Sequence, residues 1–395
     1  MTTTKKAQGD VAQPGLPDRG DRRSRLQTML GDASGAFADL GTFLPLVLGV
    51  LMVRHFNPTG LLVGFGVFAL GTAAIYHRPV PVQPMKVVAA IVIATGISPQ
   101  AVAAGGLLMG LILVLLAVSG SITALARWVP QSVLTGVQLG IGLHLILAGF
   151  RLVSDGWIVG AASLAALLAL QLTRFKPAAA LAVLITSAAW ALQHSGGMPS
   201  LTPGFYLPEL TLPHWRDGWI ALQSLALPQL PLTLTNAVLA PAAIALSLFP
   251  EDAARITARR LALSSGLLNA LLAPLGAFPM CHGAGGLVVQ YKFGARTGMA
   301  PALFGLSCLA LGLLVGPDAL LLLGVLPMAA VGALLVVAGG ELAVSKRLFD
   351  ASQDALAVIV LTGVIAVTVN IATGFVVGIL AEILRRRWAM ARTVK

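Results

Sequence analysis

Two short proline-rich motifs interrupt apolar stretches of this chain and carry most of the residue types that could bind a ligand. The first, Pro79 to Lys86, reads PVPVQPMK, and the second, Phe278 to Gly286, reads FPMCHGAGG. Prolines break helices, and inside a membrane the freed amides need protein or a water-filled cavity as partners. We expect one helix to begin near Pro84 and another near Gly283, with their electropositive ends facing a shared centre. Two such ends form an anion site. The alternative is that the prolines only kink continuous helices.

Side chains in and near the motifs would complete such a site. Lys86 would add positive charge, or it would pair structurally with Asp39. Gln83 and His282 would donate hydrogen bonds to an oxyanion, although His282 also fits a neutral core histidine held by a carbonyl. The motif glycines allow close approach of a ligand or of a neighbouring helix. The predicted substrate-binding residues are Gln83, Pro84, Lys86, His282, Gly283, Ala284, Gly285, Thr42, Thr235 and Asn236.

Asp39 is the candidate for coupling to a proton or another cation. It is a carboxylate inside an apolar stretch, and a buried acid can alternate between charged and neutral forms. Capping a helix or neutralising Lys86 are the structural alternatives. Thr42, Thr235 and Asn236 offer neutral polar contacts, which are also common between membrane helices.

Composition places the chain among integral membrane proteins. Hydrophobic residues make up 57% and charged residues 10%, far from the balance of a soluble domain. The net charge of +11 is spread over short loops and both tails, which argues against nucleic acid as a partner. The two cysteines are too few for a disulfide framework, and there is no nucleotide-binding loop or metal-ligand spacing. No cofactor is therefore predicted.

Apolar segments predict an all-α polytopic protein with fourteen transmembrane spans. The third (80–97) and tenth (279–295) are the two broken half-helices, and the twelfth covers 320–344. With both termini in the cytoplasm, every Lys and Arg except Lys86, Arg54, Arg151 and Arg216 falls on the cytoplasmic side. This asymmetry favours that orientation in a bacterial-type inner membrane.

A proline-rich connection divides the spans into two sets of seven. Because seven is odd, the second set must insert upside down, and the halves form an inverted repeat. The predicted divisions are a disordered cytoplasmic tail (1–30), repeat 1 (31–193), an extracytoplasmic linker (194–220), repeat 2 (221–389) and a cytoplasmic tail (390–395).

Three segments resemble the molybdate transporter family, a branch of the sulfate permease (SulP) superfamily. They are GAFADLGT at 35–42, PVQPMK at 81–86 and PMCHGAGGL at 279–287, followed by YKFGARTG at 291–298. The resemblance implies a uracil permease-like fold of 7+7 inverted repeats, in which a core moves against a gate. The first four spans of each half would form the core and the last three the gate. Few residues follow Trp388, which agrees with the branch that lacks the STAS domain.

The resemblance implies a secondary transporter that imports molybdate, with tungstate as a mimic, held between the half-helices at Pro84 and Gly283. A co-transported proton or cation and a homodimer are further implied partners. Broken helices and a lysine argue for an anion, whereas molybdate over sulfate depends on the resemblance alone. The alternatives are a sulfate or other oxyanion permease, a nucleobase permease, a passive anion channel and a membrane enzyme. The asparagine at position 236 counts against a nucleobase carrier, and no catalytic cluster supports an enzyme.

Overall fold

The computed structural model describes residues 19–54, 56–128, 130–173, 179–195, 197, 199–344 and 346–393. The first half contains α1 (Arg19–Ala36), α2 (Leu40–Arg54), α3 (Pro58–Tyr76), β1 (Gln83–Pro84), α4 (Lys86–Thr95), α5 (Pro99–Ser119), α6 (Ile122–Trp128), α7 (Gln131–Ser154), α8 (Trp157–Gln171) and α9 (Ala179–Ser195). The second half contains α10 (Trp215–Ile220), α11 (Leu227–Leu232), α12 (Ala240–Leu248), α13 (Ala258–Leu272), β2 (Met280–Cys281), α14 (Ala284–Lys292), α15 (Met299–Ala310), α16 (Ala319–Gly324), α17 (Met328–Ala343), α18 (Lys346–Phe349), α19 (Gln353–Thr368) and α20 (Ile371–Thr393).

Several helices are joined by segments of different pitch. Two π-helical segments, Ala221–Ala226 and Thr233–Leu239, link α10, α11 and α12 into one rod, and a third, Leu311–Val315, extends α15. Short 3-10 turns occupy Pro250–Asp252, Ala273–Leu275 and Gly316–Asp318. The described chain is therefore almost entirely helical, as the sequence predicts.

Within the described residues, six helical rods are long and apolar enough to cross a membrane. They are Arg25–Leu51, Pro58–Tyr76, Pro99–Ser119, Gln131–Ser154, Trp215–Leu248 and Met299–Leu322. Shorter apolar helices include α4, α17 and α19. This repeated pattern confirms a polytopic helical membrane protein, while the count of fourteen spans stays a prediction.

The twelfth predicted span is not one helix. Residues 320–344 fall on α16 and α17, which are separated around Pro327. Pro327 lacks an amide hydrogen and cannot continue α16, but its carbonyl accepts the amides of Ala330 (2.9 Å) and Val331 (3.2 Å) and so begins α17. Proline acts here as a helix start.

The predicted N-terminal tail also differs from the structure where it is described. Residues 19–30 belong to α1, while residues 1–18 lie outside the described residues, as do 394–395 of the predicted C-terminal tail. The end of α1 is held by Asp32, which is buried and accepts hydrogen bonds from Arg296 N (2.7 Å), Thr297 N (3.0 Å) and Thr297 Oγ1 (2.5 Å). These bonds fix α1 to the segment before α15, and helix geometry continues back from that contact.

Two helix crossings between the halves have similar close glycine contacts. A Cβ on Gly66 of α3 would lie 2.9 Å from the Gly305 carbonyl of α15, and a Cβ on Gly305 would lie 2.9 Å from the Gly66 carbonyl. Gly110 of α5 and Gly266 of α13 approach one another in the same reciprocal way, at 2.7 and 2.8 Å. The predicted inverted repeat would relate α3 to α13 and α5 to α15, and so would convert one crossing into the other. The reciprocal contacts agree with that relation, and the 7+7 arrangement itself stays a prediction.

The remaining long helices pack mainly on one another. Helix α7 packs along α17, α19 and α20, and α17 also packs on α8. We call α7, α8, α17, α19 and α20 the gate helices, and α2 to α5 together with α10 to α15 the core helices. The site described below lies where these two groups meet.

The connection between the halves crosses one end of α13 and α15. Thr211 N donates to Pro274 O (2.8 Å), and Tyr206 N donates to Leu313 O (2.9 Å). At the opposite end, Arg78 binds Asp252 (2.6 Å). The two ends of the core thus differ in chemistry, one covered by backbone pairing and the other tied by ion pairs. Which end faces the cytoplasm stays a prediction.

Candidate anion-binding site

The two proline-rich motifs meet as a two-residue antiparallel ladder. Gln83 pairs with Cys281 and Pro84 pairs with Met280. Met85 N donates to Pro279 O at 2.9 Å and extends the contact. Because the ladder pairs backbone groups of both segments, extended chain is stable in this buried place.

A buried asparagine from the core supports the same ladder. Asn269 of α13 accepts a hydrogen bond from Met280 N (2.8 Å) and donates one to Met280 O (2.7 Å). Pairing with Pro84 leaves these Met280 groups on the outer edge of β2, where a side-chain amide replaces a third strand. A short helix follows each strand: α4 from Lys86 and α14 from Ala284.

Two adjoining cavities open beside the ladder. The first has a volume of about 300 Å³ and is lined by Gln83, Lys86, Gln138, Gln229, Leu232, Asn236, Ala237, Cys281, Gly283, Ala284, Gly285, Glu341 and Leu342. The second, of about 480 Å³, is lined by Asp39, Thr42, Leu46, Gln83, Lys86, Leu145, Gly285, Gly286, Val289, Ala338, Glu341, Leu342 and Val344. Both are lined by residues of core and gate helices.

The first turn of α14 presents amides without acceptors. No residue in the described part of the chain accepts a hydrogen bond from the amide nitrogen of Ala284, Gly285 or Gly286, and no side chain caps the helix at Gly283. These amides and the helix dipole favour negative charge. At α4, in contrast, Gln229 Oε1 accepts from Val87 N (3.0 Å) and Val88 N (3.4 Å).

The charged side chains near these helix ends include more carboxylates than cations. Among the described residues that line the two cavities, Lys86 is the cation and Asp39 and Glu341 are the carboxylates. Gln83 Nε2 donates a short hydrogen bond to Asp39 Oδ2. The structure therefore brings the predicted residues Asp39, Thr42, Gln83 and Lys86 to one site.

The ladder also explains which motif residues face the cavities. Successive residues of an extended strand point to opposite sides, and directly paired residues point to the same side. Gln83 and its partner Cys281 line the first cavity, whereas Pro84 and Met280 do not. Pro84 thus contributes to the backbone turn rather than to the lining.

His282 lies outside both cavities. Its ring is fully buried, with Nδ1 3.1 Å from Pro81 O and Nε2 3.1 Å from Ser264 Oγ. Ser264 in turn bonds Tyr76 at 2.7 Å. Both ring nitrogens already have partners, and this geometry favours the core-histidine alternative over contact with a substrate.

Thr235 and Asn236, both predicted to bind substrate, differ in their placement. Asn236 lines the first cavity, but the Thr235 hydroxyl donates to Pro231 O at 2.9 Å within its own helix. Both lie in the π-helical segment Thr233–Leu239. Because a π-helix has a wider turn, it changes which side chains face the cavity, and such segments are frequent at functional sites.

Three cavity residues have no counterpart in the sequence predictions: Gln138, Gln229 and Glu341. Each lies on a long apolar stretch without a motif, so no local spacing marks it. The available signal is polarity itself, because a polar or ionisable side chain inside a membrane helix is costly and usually functional. Glu341 follows Gly339 and Gly340 on the gate helix α17 and lines both cavities.

Neighbouring glycines of the second motif give a matched stability test. A Cβ on Gly286 would lie 2.5 Å from Asp39 Oδ2 and 2.8 Å from Gln83 Nε2, whereas a Cβ on Gly285 would meet nothing within 4 Å. We expect Gly286→Ala to destabilise the fold by about 1–3 kcal/mol through overpacking and Gly285→Ala to leave stability near wild type. Thermal unfolding in detergent measures both. Equal unfolding temperatures for the two variants would contradict the close packing.

The fold resembles membrane-domain structures of anion transporters. The transmembrane domain of a cyanobacterium bicarbonate transporter, BicA, superposes with a TM-score of 0.65 at 14% identity, covering 90% of this chain and 97% of that one. The overall structure of SLC26A9 gives a TM-score of 0.64 at 12% identity, covering 92% of this chain and 66% of that one. The fold defines a multi-pass membrane protein of the SulP/SLC26 architecture, with a polar site between its core and gate helices.

The chain belongs to the molybdate transporter family. It matches the family described as "Molybdate transporter of MFS superfamily" over residues 31–145 and 221–342. Molybdate transporter 2 of Arabidopsis thaliana is 28% identical over 97% of this chain and 92% of that protein. Molybdate transporter 1 of Chlamydomonas reinhardtii is 31% identical over 91% of this chain and 92% of that protein. The resemblance seen in the sequence motifs is confirmed.

Proposed function

We propose that the protein is a secondary transporter that imports molybdate, and also tungstate, across a bacterial-type inner membrane by alternating access. The observation that carries the proposal is the open first turn of α14, which lines the same cavity as Lys86. Amide donors and an ammonium group suit a doubly charged oxyanion. Family membership supports molybdate as the particular anion.

The position of the cavity supports an alternating-access mechanism. Core residues such as Lys86 and Ala284 form one wall, and the gate residues Gln138 and Glu341 form another. A relative movement of the two groups would expose the bound anion to one side or the other without separating it from the core. An elevator-like or rocking movement of the core fits this division.

The charge balance supports proton coupling through Asp39. With Asp39 and Glu341 both ionised, one lysine faces two carboxylates. A dianion entering this site is repelled by ionised carboxylates, so its entry together with a proton costs less than its entry alone. Uptake of the anion would then bring a proton with it. Asp39 is the preferred carrier because Gln83, a ladder residue that lines both cavities, donates a hydrogen bond to it.

Uptake by purified protein in liposomes tests the proposal. We expect saturable, mass-detected accumulation of molybdate, inhibited by tungstate and absent from protein-free liposomes. Accumulation of sulfate with no effect of molybdate would assign the protein to the same-fold alternative. Anion conductance far above carrier turnover would instead indicate a channel.

A further inference from the structure

Two buried glutamines line the first cavity, and they differ in whether the side-chain carboxamide has hydrogen-bond partners. Gln229, 1% exposed, accepts hydrogen bonds from Val87 N and Val88 N and donates one to Thr233 Oγ1 at 2.8 Å. Its carboxamide thus has partners at both its oxygen and its nitrogen. Gln229 therefore occupies two amides of the first turn of α4, whereas no described residue occupies any at α14.

Gln138, in contrast, leaves its carboxamide available to a ligand. It lies on the gate helix α7, is 7% exposed and lines the same cavity. Its carboxamide has no hydrogen-bond partner among the described residues. The carboxamide is therefore open to the cavity, which Ala284 and Gly285 of the first turn of α14 also line, and it is free to bind a ligand there.

From this contrast we propose that the oxyanion site is asymmetric. The anion is held by the amides of Ala284, Gly285 and Gly286 and by the carboxamide of Gln138, with Lys86 supplying charge. Gln229 occupies the place at α4 that an anion oxygen would otherwise take. The inference rests on the proposed function and names which half-helix binds the tetrahedral oxyanion and which gate residue does.

The proposed ligands of the anion lie on both the core helices and the gate helices, which matters for transport. Gln229, α4 and α14 all belong to the core, so their contacts persist as the core moves. Gln138 belongs to the gate, so its bond to the anion bridges the two groups of helices. That bond forms in one arrangement of core and gate and breaks when they shift, which makes Gln138 the ligand that senses the transport step.

A matched pair of substitutions tests the proposal. Methionine is close to glutamine in length but cannot replace its hydrogen bonds. We expect Gln138→Met to weaken molybdate binding about tenfold, the effect of one lost hydrogen bond to a charged group, with an unchanged unfolding temperature of the unliganded protein. Gln229→Met should lower that unfolding temperature and change the dissociation constant by less than about threefold. Calorimetric titration with molybdate and thermal unfolding provide the two readouts.

A third variant keeps the test decisive if Gln229→Met does not fold. Ala284→Pro removes one amide hydrogen at the first position of α14, where proline is well tolerated, and should weaken molybdate binding about tenfold. Wild-type affinity in Gln138→Met or in Ala284→Pro would overturn the asymmetric site. So would a folded Gln229→Met protein that loses affinity as strongly as Gln138→Met. Absence of binding by the wild-type protein would instead refute the proposed function itself.

Discussion

Replacing Lys86 with methionine should reduce molybdate uptake at low substrate concentration by at least about 30-fold. Removing one partner of a buried, hydrogen-bonded charge pair costs about 2 kcal/mol or more, and 1.4 kcal/mol corresponds to a factor of ten. We expect little change in the unfolding temperature, because Lys86 donates no hydrogen bond to any residue that the structure describes. Initial rates of uptake into liposomes, measured over a range of molybdate concentrations, give the ratio directly.

Lys292→Met is the matched control. Lys292 lies in the last turn of the other short helix, α14, and its side chain is exposed. Removing its charge should leave uptake within about twofold of wild type, since exposed charges are screened by solvent and salt. Similar losses in both variants would mean that Lys86 acts through overall charge and not as a group in the site.

Asp39→Asn should separate anion binding from its coupling to protons. Asparagine keeps an oxygen that can accept the hydrogen bond from Gln83 but cannot take up a proton. We expect accumulation driven by an imposed proton gradient to be lost, while exchange of internal for external molybdate continues. Both are measured in the same liposomes, with and without a protonophore.

Glu341→Gln is the competing variant, because Glu341 lines both cavities from the gate side. If Asp39 carries the proton, Glu341→Gln retains gradient-driven accumulation. Loss of accumulation in Glu341→Gln together with its retention in Asp39→Asn would transfer the coupling role to the gate. Retention in both variants would exclude proton coupling through either carboxylate.

The parts of the site that the sequence predicts are those set by local backbone chemistry. The prolines at 79, 81 and 84 forbid a continuous helix wherever the chain is placed, and Lys86 and Gly283 follow from their position beside such breaks. Gln83, Lys86, Gly283, Ala284, Gly285 and Asn236 all line the first cavity, and Asp39 and Thr42 line the second.

The remaining parts depend on distant pairing or on helix rotation. The ladder joins residues nearly two hundred positions apart, and the motifs contain nothing that specifies its register. That register is what turns Cys281 toward the cavity and leaves His282 among Tyr76 and Ser264. Gln138 and Gln229 lie on helices whose rotation is set by packing, which no short sequence pattern records.

The ladder between Gln83 and Cys281 also restricts the relative motion of α4 and α14. Because it joins the segments that lead into α4 and α14, these two helices cannot separate without breaking its hydrogen bonds. We expect spin labels placed on α4 and α14 to keep a constant separation throughout the cycle, while distances from α4 to α7 alternate. The binding site would thus move as one rigid unit. Access to it would change where the core helices contact the gate helices.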